Sequence, residues 1–200
     1  MSFNPNLIAE LTLCAVLACW FIFAAIFLLR KKPPTQPEAK RDNVSLVGII
    51  LQGCAYGLVW FHPPHSPFLP HAGLWPLSVE IALAVFTVAA AAGSVWLVSS
   101  AVRTLGKQWA FAARLVEGHK LITEGPYRFL RNPIYSGMLG MLVATGLALE
   151  HWIRLAVALV LFALGTVIRV RSEEKLLRTA FGQEWDEYAK RVPAVLPGIF

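Results

Sequence analysis

Apolar residues fall into five runs separated by polar, charged or proline-rich segments. Leu7 to Leu29 is broken only by Glu10 and Thr12, near its start. Val44 to Phe61 holds only Ser45 and Gln52 as clearly polar residues, and Leu77 to Val102 has Glu80 near one end and is otherwise small or apolar. Ile134 to Leu149 and Ile153 to Ile168 are shorter and flank a tight break at Glu150-His151. A membrane-spanning helix needs about 20 residues. The first three runs meet that length to within a turn, and the last two predict a short helical hairpin. Val170 to Arg191 alternates charge with apolar residues. Phe181, Trp185 and Tyr188 recur there at i, i+4 and i+7, so they share one face of a helix interrupted at Gly182 and lying on the bundle or at the membrane interface. The prolines of Val192 to Pro197 keep that tail from being helical throughout.

The pattern predicts an all-α integral membrane fold, because a backbone in lipid must pair its polar groups within its own segment. Five transmembrane helices follow, the last two as a C-terminal hairpin beside a cytosolic pocket. The chain divides near residue 103: residues 1–102 form a three-helix membrane region, and residues 103–200 carry the chemistry. Composition agrees, with 56% hydrophobic and 15% charged residues, against about 25% charged in soluble domains.

Charge placement sets an expected orientation. Arg30, Lys31, Lys32, Lys40 and Arg41 fall in one connector, whose prolines Pro33, Pro34 and Pro37 exclude a helix. Further clusters occupy residues 103–133 and the tail from Arg171, whereas residues 1–6 and 62–76 carry no Lys or Arg. Positive residues mark the cytosolic side, which places the N-terminus outside and the C-terminus and active site in the cytosol. Arg154 alone breaks the pattern. The net charge of +6 is thereby explained by orientation and contact with membrane lipids, and nucleic acid is not an expected partner. The first run is too long for a signal peptide core, and its basic cluster follows it rather than precedes it.

Several features take structural readings. Cys14, Cys19 and Cys54 fall within spans and read as buried packing thiols, neither paired nor metal-bound. His62, His65 and His71 stand among prolines without a carboxylate or thiol partner and read as a surface loop. Trp20, Trp60, Trp75, Trp96, Trp109 and Trp152 fall mostly near membrane interfaces, where tryptophan is enriched. Three ridges of small residues, Gly53/Gly57, Ala89/Gly93 and Ser136/Gly140/Ala144, are read as packing within one subunit, which favours a monomer.

The chemistry concentrates between His119 and Gly137. Gly125-Pro126 is a turn signal, and Pro133 suits the first turn of a helix, where its missing N–H costs nothing. Arg128 and Arg131, three apart, share a face if the stretch is helical. Beside a helix N-terminus they make an anion-binding corner suited to a carboxylate. The hairpin returns the chain to the side it left, so the start of the Ile134 helix and the Glu173-Glu174 pair meet at one level.

Two strings carry a resemblance. One is His119, Leu121-Ile122-Thr123, Gly125-Pro126-Tyr127, Arg131, Pro133, Tyr135 and Gly137; the other is Arg169, Glu173-Glu174, Leu177, Phe181-Gly182, Glu184-Trp185, Tyr188, Arg191-Val192-Pro193 and Pro197. Together they resemble the isoprenylcysteine carboxyl methyltransferases and the related phospholipid methyltransferases, over roughly residues 103–198. The resemblance implies S-adenosylmethionine as cofactor, held without a Rossmann fold in the C-terminal half. It implies a cofactor site lined by His119, Leu121, Ile122, Gly125, Tyr127, Asn132, Pro133 and Tyr135. It implies catalytic charges at Arg131 and one glutamate of the pair, Glu174 before Glu173. One departure stands out: the family has His between the Arg and the Pro where this chain has Asn132, which keeps a donor and an acceptor but does not titrate near neutrality.

The implied reaction transfers a methyl group to a lipid-like acceptor reaching the site from the bilayer, first of all the carboxylate of an isoprenylcysteine-type substrate. That chemistry needs mainly positioning and electrostatics. Three alternatives stand beside it: a phospholipid or amine methyltransferase, an NADPH-dependent reductase of sterol-like lipids, and a catalytically inactive scaffold. The chain has no glycine-rich phosphate loop to favour the reductase.

Overall fold

The computed structural model describes residues 5–29, 38–41, 44–61, 75–106, 114–116 and 120–196. It is a helical bundle of α1 (Pro5–Leu28), α2 (Ser45–Trp60), α3 (Leu77–Leu105), α4 (Pro133–Ala148), α5 (Trp152–Phe181) and α6 (Gln183–Arg191). Two strands, β1 (Glu38–Arg41) and β2 (Arg114–Val116), pair antiparallel with an irregularity between Glu38 and Lys40. The sequence pattern did not suggest this ribbon. It ties the α1–α2 connector to the α3–α4 connector, so both lie at one end of the bundle.

Among the described residues three helices are long and apolar enough to cross a membrane: Leu7–Leu28 within α1, then α3 and α5. Large apolar side chains point outward from them, including Phe21, Leu28, Trp96 and Ile153. Contiguous exposure of this kind is rare on soluble proteins. The protein is a multi-pass membrane protein.

Two lengths differ from expectation. The second run yields only 16 residues of helix in α2, matched by 16 in α4. At 1.5 Å per residue each spans about 24 Å, short of a hydrocarbon core of about 30 Å. The fifth run, by contrast, does not stop at Ile168. Its charged continuation is built of good helix formers and meets no Gly or Pro before Gly182, so α5 runs unbroken for 30 residues. Gly182, at φ 51°, then turns the chain into α6.

The core joins the N-terminal and C-terminal helices. Val16, Ala55, Val59, Ala91, Val98, Met141, Leu142, Ala144, Ala158 and Phe162 are all buried in one cluster. Helix α3 lies on α4 through Gly137 and Gly140. A Cβ at Gly137 would collide with Val98 Cγ2 and come 3.1 Å from the Ser94 carbonyl, and one at Gly140 would strike Ser94 Oγ. The Ser136/Gly140/Ala144 region therefore packs internally, as expected. Gly53, Gly57 and Gly93 do not: they are exposed, and a Cβ on any of them would meet nothing within 4 Å.

Other expectations shift as well. Trp20 is half-buried against the core: its Nε1 donates to Thr145 Oγ1 at 2.9 Å, and its ring lies edge-on to Phe23, Tyr56 and Trp60. Cys14 and Cys54 face outward rather than into the core, and all three cysteines are free. The exceptional Arg154 donates to the Phe61 carbonyl just beyond α2 and stacks over the Phe61 ring at 5.7 Å. It satisfies a helix-end carbonyl, which accounts for a cation at that end of the bundle.

The α4–α5 break is tight, with His151 N donating to Gly146 O and Glu150 at φ 51°. This short turn returns α5 antiparallel to α4 and brings its Arg169–Glu174 stretch to the level at which α4 begins, with the last two turns of α5 running beyond.

Candidate functional site

A 3-10 turn, Gly125–Arg128, leads into the site. Gly125 opens it at φ 57°, and a Cβ there would approach Thr104 Oγ1 to 2.8 Å. Both the backbone angle and the contact with the end of α3 call for glycine. Pro126 and Tyr127 are buried while Arg128 is exposed. Because the turn is 3-10 and ends at Arg128, Arg128 and Arg131 do not share a face: only Arg131 turns inward, its side chain 10% exposed.

The C-terminal tail clamps the next residues. Arg131 N donates to Pro193 O at 2.9 Å and Asn132 N to Ala194 O at 2.8 Å, and Ser136 Oγ donates to the Val195 carbonyl. Helix α4 then starts at Pro133, with Asn132 as its N-cap residue. On α6, Tyr188 donates to the Tyr127 carbonyl at 2.6 Å. Burial pushes the Tyr188 phenol up to about 12, Arg131 opposing and Glu174 adding to the shift, so it is a neutral donor at physiological pH.

Two charge pairs meet between the start of α4 and the part of α5 that carries Arg169, Glu173 and Glu174. Arg131 Nη2 lies 3.4 Å from Glu174 Oε1, with the guanidinium 5.8 Å over the Trp185 ring. Arg169 Nη2 lies 3.8 Å from Glu173 Oε1, and its guanidinium covers the Tyr135 ring at 4.9 Å. The Tyr135 hydroxyl donates to the same Glu173 oxygen. Asn132 flanks Glu174. Arg178 turns instead to Asp186, at 2.9 Å, so Glu174 is not spent on a helix-surface pair.

The first of these clusters is incompletely satisfied. Arg131 Nε, Asn132 Nδ2 and Glu174 Oε1 are buried without a hydrogen-bond partner. Leaving a buried polar group unsatisfied costs about 1–3 kcal/mol, more when it is charged. Two donors and one acceptor, held within one contact of each other, suit a ligand that carries both a carboxylate and an ammonium group.

Of the residues expected at the site, Arg131, Asn132, Tyr135, Glu173 and Glu174 stand within the two pairs or flank them. Tyr127 joins them through Tyr188, and Pro133 is buried at the head of α4. Leu121 and Ile122 are half-buried in the irregular stretch ahead of the 3-10 turn, and neither they nor Gly125 join the two pairs among the described residues. His119 lies outside the described residues. Trp185, Tyr188, Arg169 and Gln52 were not assigned to the site from sequence. The first two carried a signal, their shared face with Phe181. Gln52 carried none, since one polar residue in an apolar helix has many explanations. Among the described residues no group of three or more His, Cys, Asp or Glu is placed to hold a metal ion.

Residues 82–184 match the family described as phospholipid methyltransferase. A probable protein-S-isoprenylcysteine O-methyltransferase from Oryza sativa subsp. indica is 40% identical over 102 residues, 50% of this chain and 53% of that protein. Protein-S-isoprenylcysteine O-methyltransferase B from Arabidopsis thaliana is 36% identical over 103 residues, 50% of this chain and 52% of that one. The nickel-cobalt-cadmium resistance protein NccN from Alcaligenes xylosoxydans xylosoxydans is 32% identical over 140 residues, 64% of each chain. The chain spans about half the length of the isoprenylcysteine methyltransferases it matches.

Proposed function

The chain belongs to the phospholipid methyltransferase family, and on that premise we propose that it is an S-adenosylmethionine-dependent membrane methyltransferase whose acceptor is the carboxylate of a lipid-like molecule, first of all a prenylated cysteine. The observation that carries the reading is the buried cluster of Arg131, Asn132 and Glu174, an ion pair flanked by an amide whose hydrogen-bonding capacity is only partly used within the chain. Their chemistry fits the amino-acid end of the cofactor, with Arg131 and Asn132 donating to its carboxylate and Glu174 accepting from its ammonium. The similarity to isoprenylcysteine methyltransferases supports the choice of acceptor.

When bound, the cofactor supplies an electrophilic methyl group on a sulfonium. For a carboxylate acceptor the chain has no proton to remove, and its side chains hold and orient. Trp185 stacks on Arg131 and fixes the plane of its fork. The tail bonds from Pro193 and Ala194 fix the backbone of Arg131 and Asn132. Asn132 works as a neutral donor where the family has His, so its contribution does not vary with pH near neutrality. Glu173, bonded by Tyr135 and Arg169, forms the second wall of the site.

We place the site on the cytosolic side, where the basic clusters fall. The polar cofactor then arrives from the cytosol and the acceptor from the bilayer, with five membrane passes and a monomeric chain. The family's description favours one second reading, methylation of a phospholipid amine, for which Glu174 takes the amine proton.

Methyl transfer from radiolabelled S-adenosylmethionine, by the detergent-purified protein, decides between these. Label is expected in a base-labile ester of S-farnesylcysteine derivatives and not in phosphatidylethanolamine. Base-stable label in the phospholipid selects the amine reading, and no transfer to either by a folded protein that fails to bind the cofactor rejects both.

A further inference from the structure

The site's second pair is anchored by a residue outside the matched region. Gln52, in the middle of α2, is 2% exposed. Its Nε2 donates to Thr166 Oγ1 at 2.9 Å, and its Oε1 accepts from Arg169 Nη1 at 3.0 Å. The guanidinium has donors only, so it takes the amide oxygen, and the Thr166 hydroxyl, able to accept, receives the Nε2 bond. Arg169 reaches Glu173 with its other terminal nitrogen and covers the Tyr135 ring, while Tyr135 bonds Glu173. One continuous polar chain thus runs Thr166, Gln52, Arg169, Glu173, Tyr135.

The backbone around it is shaped to admit this chain. A Cβ at Gly48 would collide with Arg169 Cγ and stand 2.6 Å from Gly165 O, and one at Gly165 would stand 2.7 Å from Gly48 O. The two glycines let α2 and α5 approach closely and leave Arg169 a channel between them. Close helix approach needs only those small residues and the apolar contacts around Ala55, Val59, Ala158 and Phe162. A glutamine is not required for it. A buried arginine, however, has several rotamers, and a fixed neutral acceptor on its bundle side selects one. A carboxylate in that place would compete with Glu173 for the cation; an amide holds Arg169 while leaving its charge to Glu173.

We propose that Gln52 is a positioning residue of this site: it fixes Arg169, and through Arg169 it sets the placement of Glu173 and Tyr135. The kinetic part of the proposal rests on the methyltransferase reading; the structural part does not. The bonds of Gln52 go to Thr166 and Arg169 and not to the Arg131–Glu174 pair, so it acts on turnover and leaves cofactor affinity to that pair.

The test compares Gln52→Met, Gln52→Glu and Thr166→Val with the parent protein in detergent. The chain has four tyrosines, so a carbon-13 label at the phenolic carbon gives a spectrum in which Tyr135→Phe identifies Tyr135. In cofactor-free protein, Gln52→Met is expected to move the Tyr135 resonance while leaving Tyr127 and Tyr188 in place. Thr166→Val, which keeps the bond to Arg169, is expected to move it less. In turnover, Gln52→Met lowers kcat about tenfold or more, as misplacement of site groups does, with the Kd for S-adenosylmethionine changed less than about threefold. Gln52→Glu keeps an acceptor for Arg169, folds even if Gln52→Met does not, and shifts Tyr135 by drawing the cation from Glu173. An unmoved Tyr135 resonance in either folded variant overturns the proposal. So does a loss of kcat that only tracks the folded fraction, or is equalled by Thr166→Val. A parent protein that neither binds cofactor nor transfers methyl sinks the methyltransferase reading, and the tyrosine resonance still decides the positioning role.

Discussion

Replacing Arg131 by alanine raises the KM for S-adenosylmethionine by about 100-fold or more, the largest functional effect expected of any single change. Truncating one partner of a buried, hydrogen-bonded charge pair costs about 2–5 kcal/mol. Here the loss falls twice. The ligand carboxylate loses its fork of donors, and Glu174, with a side chain 24% exposed, keeps a charge without its partner at 3.4 Å. In the proposed reading Arg131 binds the cofactor's carboxylate and not the transferred methyl group, so the interaction is present in ground state and transition state alike. Binding of that uniform kind appears in KM rather than kcat. Lysine at 131 restores the charge but not the planar fork, nor the stacking on Trp185; its KM lies between the two. A fall in kcat at unchanged cofactor KM would instead assign Arg131 to the acceptor.

Arg169→Leu has the largest expected effect on folding. Removing one member of a buried ion pair costs about 3–5 kcal/mol because the other charge stays behind. Arg169 is 6% exposed, and its loss also strands the Gln52 oxygen it bonds at 3.0 Å. Against a total stability of about 5–15 kcal/mol, that is enough to deplete the folded protein in detergent, read as a thermal melt. Adding Glu173→Gln to Arg169→Leu recovers part of the loss by removing the stranded charge. A double variant no more stable than the single one would show that the pair contributes by packing rather than charge.

The charge corner was legible in sequence because its residues recur in two strings and because a short hairpin must return the chain to the side it left. That topological step brought Arg131 and Glu174 together across 43 positions, as their ion pair shows. Helix lengths were less legible. Hydropathy marks where α5 is apolar, but Arg, Glu, Lys and Leu sustain a helix equally well beyond that point, so the run of 30 residues ends only at Gly182. The orientation of small residues was hidden for a related reason. Gly53 and Gly57 have the spacing of a packing ridge, yet the face of α2 that meets α5 is the one bearing Gly48 and Gln52. Spacing names a face without saying which neighbour covers it. Gln52 shows the same limit, since its partners Thr166 and Arg169 lie more than a hundred positions away.

The central claim is that Arg131, Asn132 and Glu174 hold the amino-acid end of the cofactor. Calorimetry with two ligands tests it most directly, because S-adenosylhomocysteine carries that end and 5′-methylthioadenosine lacks it. The parent protein is expected to bind the first at least about 100-fold more tightly than the second, on the order of two to three charge-assisted hydrogen bonds, with the gap shrinking several-fold in Arg131→Ala. Equal binding of the two ligands by the folded parent, or a gap that Arg131→Ala leaves intact, would contradict it.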